Sequence, residues 1–264
     1  MSRTVDDLSD EIAARRRADP APLRALWPLA NLLQFVYTLL WTAGCISAAL
    51  VVRALRGNAD APLRMASRLW APGLLRGAGA RLDVRGAEAI DWSKPYVVVA
   101  NHQSMIDICA LFRAVPVPLR FVMKQEMSRV PFLGAYVRAM GMVFVDRAGQ
   151  GAGEAMQRDT VALLRDGACV LVFPEGTRSR DGRIGAFKGG AFRAAIEAGV
   201  DVLPVAIAGA GAVLPPTGLF RVRPGRIALR IGAPLPATGI DRHALAREAR
   251  ATVIALLETA ERER

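Results

Sequence analysis

Tyr96-Val97-Val98-Val99-Ala100-Asn101-His102-Gln103-Ser104-Met105-Ile106-Asp107-Ile108-Cys109-Ala110-Leu111-Phe112 changes from a β-branched apolar run to a helix-like one across a short polar link. A strand that ends in a loop and feeds a helix is half of a βαβ unit. Ser104-Met105-Ile106-Asp107 fits the Ser-x-x-acid capping box, with Ser104 as N-cap and Asp107 at N3. His102 then lies outside the first turn. That placement matters, because positions five apart on a regular helix lie ~140° from each other and their side chains do not meet. From the loop, His102 can reach Asp107. A histidine takes a proton near neutral pH, its reference pKa being ~6.5, and a carboxylate can orient the ring and stabilise its charged form. The bland reading is that Asp107 caps a helix and His102 is a polar loop residue. The two readings are compatible, since a cap that fixes Asp107 also fixes what it touches.

Outward from this stretch, apolar strand-like runs alternate with helical ones. Strands are expected at 81–85, 96–101, 119–123, 142–145, 168–172, 202–207 and 226–231, and helices at 105–114, 131–140, 152–166, 188–198 and 241–260. This pattern predicts an α/β fold, a mixed and largely parallel sheet covered by helices. Residues 81–264 form that domain in this reading. Residues 25–80 form a membrane-associating helical pair, and residues 1–24 a polar segment with Arg15-Arg16-Arg17 after several acids.

The helical pair rests on two observations. Ala25 to Val52 carries no charge. As a helix the run measures ~42 Å against a hydrocarbon core of ~30 Å. Yet it contains Asn31, Gln34, Thr38, Thr42 and Ser47, and arginines flank both ends. A helix dipping into one leaflet reconciles these facts; a single span and a buried core helix are the alternatives. Arg53, Arg56, Arg64, Arg68 and Arg76 then interleave with Leu63, Met65, Leu69, Trp70, Leu74 and Leu75, as in a basic helix on an anionic membrane surface. Pro62 and Pro72 bound or kink it.

Charge points the same way. The 264 residues carry a formal net charge of +11 and are 52% hydrophobic, which implies an anionic partner. Nucleic acid is excluded as that partner: aromatics are 6% of the chain and no basic stretch interleaves with them. Three scattered cysteines indicate neither a disulfide framework nor a zinc ribbon, and two histidines cannot build a polyhistidine metal site. No metal or cofactor is expected.

Three further blocks follow. Lys124-Gln125-Glu126-Met127 leads through Pro131-Phe132-Leu133-Gly134 to Gly141-Met142-Val143-Phe144-Val145-Asp146-Arg147; then come Phe173-Pro174-Glu175-Gly176-Thr177-Arg178-Ser179 and Val202-Leu203-Pro204-Val205-Ala206-Ile207. Together with Asn101-His102-x4-Asp107, these blocks resemble, in order and across roughly 95–215, the glycerolipid acyltransferase family, and within it the bacterial 1-acyl-glycerol-3-phosphate acyltransferases. The resemblance implies that His102 deprotonates an acceptor hydroxyl that attacks an acyl thioester, with Asp107 orienting the imidazole. It implies a lysophospholipid acceptor and a donor of acyl-CoA or acyl-carrier protein; docking on the cytoplasmic face of the membrane would let a soluble thioester and a membrane lysolipid meet, and the strong Arg and Ala bias points to a bacterial source.

The residues agree in part. No Gly-x-Ser-x-Gly elbow exists, Ser104 is better used as a cap, and Cys109 falls inside a helix. The lack of a covalent nucleophile points to direct transfer to a bound hydroxyl. A thiol leaving group, with a pKa of ~8.5, needs little acid assistance. In the third block, Gly176 permits close backbone approach, Thr177 offers a hydroxyl and Arg178 can grip phosphate oxygens with two donors. Glu175 could hold Arg178 or the loop. Read alone, the block is a tight turn with a surface ion pair; the resemblance favours an acceptor-phosphate site. Lys124 and Lys188 stand out in a chain with three lysines among 35 basic residues, and Arg147 either adds a phosphate contact or pairs with Asp146. Pro204 is expected to shape a strand end. Gly149–Gly153 and Gly185–Gly190 match no nucleotide-binding pattern and read as turns. Rival functions are the same chemistry on another lysolipid such as a lyso-ornithine lipid, a thioesterase or lipid hydrolase, and a non-catalytic lipid-binding protein.

Overall fold

A computed structural model describes residues 21–145, 152–216 and 220–264. Helix α1 (Ala21–Arg56) is followed by a returning helical stretch made of α2 (Asp60–Met65), a π-helical segment (Ala66–Trp70) and α3 (Ala71–Gly77). The α/β part then runs β1 (Ala80–Arg85), β2 (Val97–Ala100), α4 (Ile106–Ala114), β3 (Leu119–Lys124), α5 (Leu133–Ala139), β4 (Val143–Val145), α6 (Ala152–Arg165), β5 (Cys169–Val172), α7 (Gly190–Ala198), β6 (Val202–Ala208), α8 (Ala210–Val213), β7 (Gly225–Ile231) and α9 (Arg242–Arg262). Every expected strand is present to within one residue at each end. The 3-10 turn Gln125–Arg129 ahead of α5 is an element the apolar pattern did not indicate.

The strands form one sheet in the order β1-β7-β6-β2-β5-β3-β4. All neighbours are parallel except β6 and β7, so the sheet is mixed and mostly parallel. β2 lies at its middle with Val97, Val98, Val99 and Ala100 all fully buried. A strand covered on both faces needs a continuous apolar run rather than an alternating one. Val98 and Ala100 join the core beneath α2 to α5, while Val97 and Val99 join the core beneath α6, α7 and α9. Pro204 sits inside β6 rather than at its end. Its carbonyl accepts from Gly232, which places its missing N–H on the β7 side, where pairing starts only at Val205 with Ile231.

α1 and the α2–α3 stretch form an antiparallel hairpin. The Tyr37 hydroxyl donates to Gly73 O at 3.0 Å, Trp41 Nε1 to Trp70 O at 3.2 Å, and Trp70 Nε1 to Thr42 Oγ1 at 3.1 Å. Neither proline breaks the return helix. The π-helical segment lies immediately before Pro72, whose ring would meet the carbonyl of Arg68 in a regular α-turn; the wider turn relieves that clash. α1 itself is continuous, long and apolar enough to cross a membrane by length and composition, with 11% of its most apolar window buried. That exposure rules out the core-helix alternative. Four of the five polar residues of the run face inward: Asn31 Oδ1 accepts from Val222 N at 2.7 Å, and Gln34, Thr38 and Thr42 line the space between hairpin and domain; Ser47 is exposed and donates to Ala43 O at 2.9 Å.

Candidate active site

β2 leaves the sheet through a clamp. Asn101, 1% exposed, donates from Nδ2 to Ile207 O at 2.9 Å and accepts the Ile207 N–H on Oδ1 at 2.8 Å. Its side chain thus continues the pairing with β6 for one more residue and frees the backbone to turn. The next residue, His102, is held by the loop after β5. Its N–H donates to Glu175 Oε1 at 2.9 Å and its carbonyl accepts from Ser179 N at 2.7 Å. The imidazole lies flat on Phe173, with ring centroids 3.9 Å apart and 13° between planes.

Nδ1 of His102 is 2.8 Å from Asp107 Oδ2. The same oxygen accepts the Gln103 and Ser104 N–H groups at 2.7 Å each. Asp107 is fully buried, and its Oδ1 has no partner. Three donors therefore converge on one carboxylate oxygen. The aspartate assigns the ring proton to Nδ1 and leaves the Nε2 lone pair with no protein partner among the described residues, which is the tautomer a general base needs. The capping box closes in one direction only. Asp107 reaches back to the Ser104 N–H as expected, but the Ser104 hydroxyl accepts from Ile106 N at 3.3 Å, not from Asp107, and donates to Leu214 O at 2.6 Å. That last bond ties the active loop to the segment after β6.

Glu175 does not pair with Arg178. Its two oxygens accept backbone N–H groups, His102 on one side and Gly185 at 2.8 Å on the other, so it braces the histidine loop against the 181–188 loop. Burial pushes its carboxyl above the ordinary range, opposed by those two donors. Gly176 adopts φ +74°, and its N–H closes the turn to Phe173 O at 3.0 Å. Thr177 and Arg178 follow, both exposed, two residues and one residue before the Ser179 that grips His102. The Thr177 hydroxyl donates to Arg178 O at 3.2 Å. Lys124 is exposed at the end of β3 and Lys188 is exposed beyond the loop. Because β2, β5 and β3 are adjacent and parallel, their carboxyl ends bring His102, the Phe173–Arg178 loop and Lys124 to one rim of the sheet, the usual place for ligands in such folds. Arg147 lies outside the described residues.

Beside this rim an apolar cavity of about 300 Å³ lies between α1 and α4. Met105 and Leu214 line its end next to the histidine loop, and Thr42, Ile46, Trp70 and Phe112 line its depth. Cys109 also faces it, but burial pushes that thiol up to about 12, so it is not a nucleophile near neutral pH. Among the described residues, no group of three or more His, Cys, Asp or Glu is arranged to hold a metal ion.

Sequence reasoning placed His102, Asp107 and the third block, and missed two partners. The Phe173 stack and the Asn101 clamp join residues far apart in the chain, and local spacing carries no signal for either.

Residues 81–208 match the family model described as Acyltransferase. A Chlamydomonas reinhardtii protein named 1-acyl-sn-glycerol-3-phosphate acyltransferase is 38% identical over 143 residues, covering 54% of this chain and 43% of that protein. A mouse protein named 1-acyl-sn-glycerol-3-phosphate acyltransferase alpha is 32% identical over 182 residues, covering 67% and 64%. The chain spans about half the length of the curated relatives it matches. Among solved structures, the 1-acyl-sn-glycerophosphate acyltransferase PlsC of Thermotoga maritima superposes with a TM-score of 0.72 at 27% identity, covering 88% of this chain and 97% of that one.

Proposed function

Residues 81–208 form an Acyltransferase-family domain, and on that premise we propose that the chain moves a fatty acyl group from a thioester, acyl-CoA or acyl-carrier protein, to the sn-2 hydroxyl of 1-acyl-glycerol-3-phosphate, giving phosphatidate. The observation that carries this reading is the His102–Asp107 contact with Nε2 free, at the end of an apolar cavity.

The steps balance without a covalent enzyme intermediate. His102 Nε2 takes the proton of the acceptor hydroxyl as its oxygen bonds to the thioester carbonyl carbon. The resulting imidazolium is held by Asp107. When the tetrahedral species collapses, the C–S bond breaks and the leaving thiolate takes the proton from Nε2. Such general-base assistance is worth ~10²- to 10⁴-fold. Arg178 and Thr177 on the same rim are assigned to the acceptor phosphate, with Lys124 as a further cation, and the cavity to an acyl chain.

The attachment of α1 to the domain supports a monotopic arrangement, which we assign to the cytoplasmic face. Asn31 bonds to Val222 and, 22 residues later, Arg53 Nε donates to Ala139 O at 3.2 Å. Those anchor points are ~33 Å apart along the helix. A perpendicular span would drag the charged surface of the attached domain through the hydrocarbon, so α1 is assigned to the interface.

The deciding experiment is thiol release from an acyl thioester by the full chain, with and without 1-acyl-glycerol-3-phosphate, for wild type and His102→Ala. Release that needs both the acceptor and His102 is expected. Acceptor-independent release would make the protein a hydrolase, and undiminished release by His102→Ala would remove the base.

A further inference from the structure

The segment Val130-Pro131-Phe132 is built in a way that the reaction does not explain. Phe132 has φ 61° and ψ −52°, and the Leu133 N–H donates to Pro131 O at 2.7 Å. This is the γ-turn with positive φ, which is rare and strained. Among the described residues Phe132 is the one non-glycine with positive φ. Its side chain is nevertheless 63% exposed, and Val130 is 42% exposed, so no packing inside the protein compensates for the strain.

The tip is rigid. The Gly134 N–H donates to Val130 O at 2.7 Å, and a Cβ on Gly134 would come within 2.0 Å of Ser128 O. Arg138 Nη1 donates to that same Ser128 O at 2.8 Å. Leu133 turns inward to the cavity, and the tight turn between it and Pro131 leaves Phe132 outside.

Its surroundings indicate what meets it. The tip follows β3, on the rim that carries the His102 and Arg178 loops, and leads into α5, which packs against α1 through Ala139 and Arg53. α1 exposes Leu26, Leu29, Leu32, Leu33, Val36 and Leu40. The exposed cations Lys124, Arg129 and Arg138 flank the tip in the chain, and Glu126 is the one acid between residues 124 and 138. An exposed apolar point flanked by exposed cations, leading into a helix that packs on the exposed apolar α1, fits an anionic bilayer surface.

We propose that Val130-Pro131-Phe132 is a second membrane contact, a wedge that enters an anionic bilayer beside α1. One helix lying in an interface defines a line and leaves the domain free to roll about it. A second point to one side defines a plane, and this one fixes the roll so that the catalytic rim faces the lipid. The inference rests on the reading of α1 as lying in the membrane surface.

The test places an environment-sensitive fluorophore on Val130→Cys in the full chain with Cys45→Ser. The buried Cys109 and Cys169 are retained, and the Cys45→Ser chain with Val130 left in place serves as the labelling control. Vesicles contain equal parts phosphatidylcholine and phosphatidylglycerol. A several-fold rise in emission on vesicle binding, quenched by nitroxide-bearing lipids, is expected. The same label on Glu258→Cys, exposed on α9 across the sheet from α1, should not respond. A label at position 130 that stays water-like while the chain sediments with vesicles overturns the wedge and leaves the α1 reading standing; a chain that does not sediment overturns both. Phe132→Gly separates folding from docking. It should raise the unfolding temperature in detergent by relieving the turn, and should reduce the vesicle-induced signal at position 130 at least twofold. A lowered unfolding temperature would show that Phe132 serves the fold and would overturn the proposal.

Discussion

Asp107→Asn tests the site most sharply, because it changes one atom type in a fully buried group whose partners are all known. In the native protein Oδ2 accepts three N–H groups. Hydrogen bonds to a charged acceptor contribute ~1.5–3 kcal/mol each and neutral ones ~0.5–1.5, so three bonds together lose about 3 kcal/mol when the charge goes. The new NH₂ group would occupy the position of Oδ1, which is buried and unpartnered, at a further ~1–3 kcal/mol. Partial relaxation reduces the sum, and removal of an unpaired buried lone pair offsets some of it. A loss of about 3–4 kcal/mol is expected. For a chain of this size that lowers the unfolding midpoint by roughly 6–16 °C.

The effect on turnover is separate. Asparagine cannot stabilise the imidazolium with a charge, and if its amide turns toward Nδ1 it selects the wrong tautomer. A fall in kcat of ~10²- to 10⁴-fold is expected at a temperature where the variant is fully folded. His102→Ala is the comparison: it should lose comparable activity but less stability than Asp107→Asn, because one of the three bonds to Oδ2 and the stack on Phe173 go while the Gln103 and Ser104 N–H groups still hold the carboxylate. The assay is thiol release alongside thermal unfolding of both variants. Asp107→Asn that keeps turnover within about threefold of wild type would falsify the orienting role, whatever it did to stability.

Three other outcomes follow from the same geometry. Phe173→Leu keeps much of the volume beneath the imidazole but removes the flat surface, so kcat should fall about tenfold with KM for both substrates little changed; an unaltered kcat would show the stack to be incidental. Arg178→Ala should raise KM for the phosphate-bearing acceptor about tenfold and for the thioester far less, and equal effects on both would remove the phosphate assignment. For Glu175, a carboxyl whose folded pKa is raised favours the folded state below the ordinary glutamate range and loses that contribution as pH rises through the folded value. Unfolding midpoints measured across that range should therefore show a downward step with rising pH that is missing in Glu175→Gln; a step of equal size in the variant would assign it elsewhere.

The strands were legible because β2, β5 and β6 are buried on both faces and so appear as unbroken apolar runs, and the histidine loop was legible because a strand, a cap signal and a helix meet there. What was not legible depends on distance in the chain or on backbone strain. Glu175 sits near an arginine in sequence, yet its partners are the backbone N–H of His102, which the adjacency of β2 and β5 supplies, and that of Gly185, ten residues on in its own loop. The turn at Phe132 has no glycine to announce it. One signal was present and could have been used: Asn31, Gln34, Thr38, Thr42 and Cys45 recur at intervals of three and four, a single helical stripe. Read as a stripe, these residues mark the face of α1 that meets the domain.

That stripe inverts the usual amphipathic rule. A surface helix of a water-soluble protein turns its apolar face inward and its polar face out. α1 places Asn31, Gln34, Thr38 and Thr42 inward and leaves Leu26, Leu29, Leu32, Leu33, Phe35, Val36, Leu39, Leu40, Val51 and Leu55 substantially exposed. Fully burying a large apolar side chain is worth ~1.5–3 kcal/mol, so covering these half-exposed groups contributes on the order of 10 kcal/mol. That is comparable to the whole folding stability of a domain. Water is a costly medium for this face, and in the proposed interfacial arrangement bilayer hydrocarbon covers it. The inward polar stripe then has a reason of its own. Against the domain Asn31 finds Val222 and Thr42 finds Trp70, partners that hydrocarbon does not offer, while the one outward hydroxyl, that of Ser47, bonds back to Ala43 O within the helix itself.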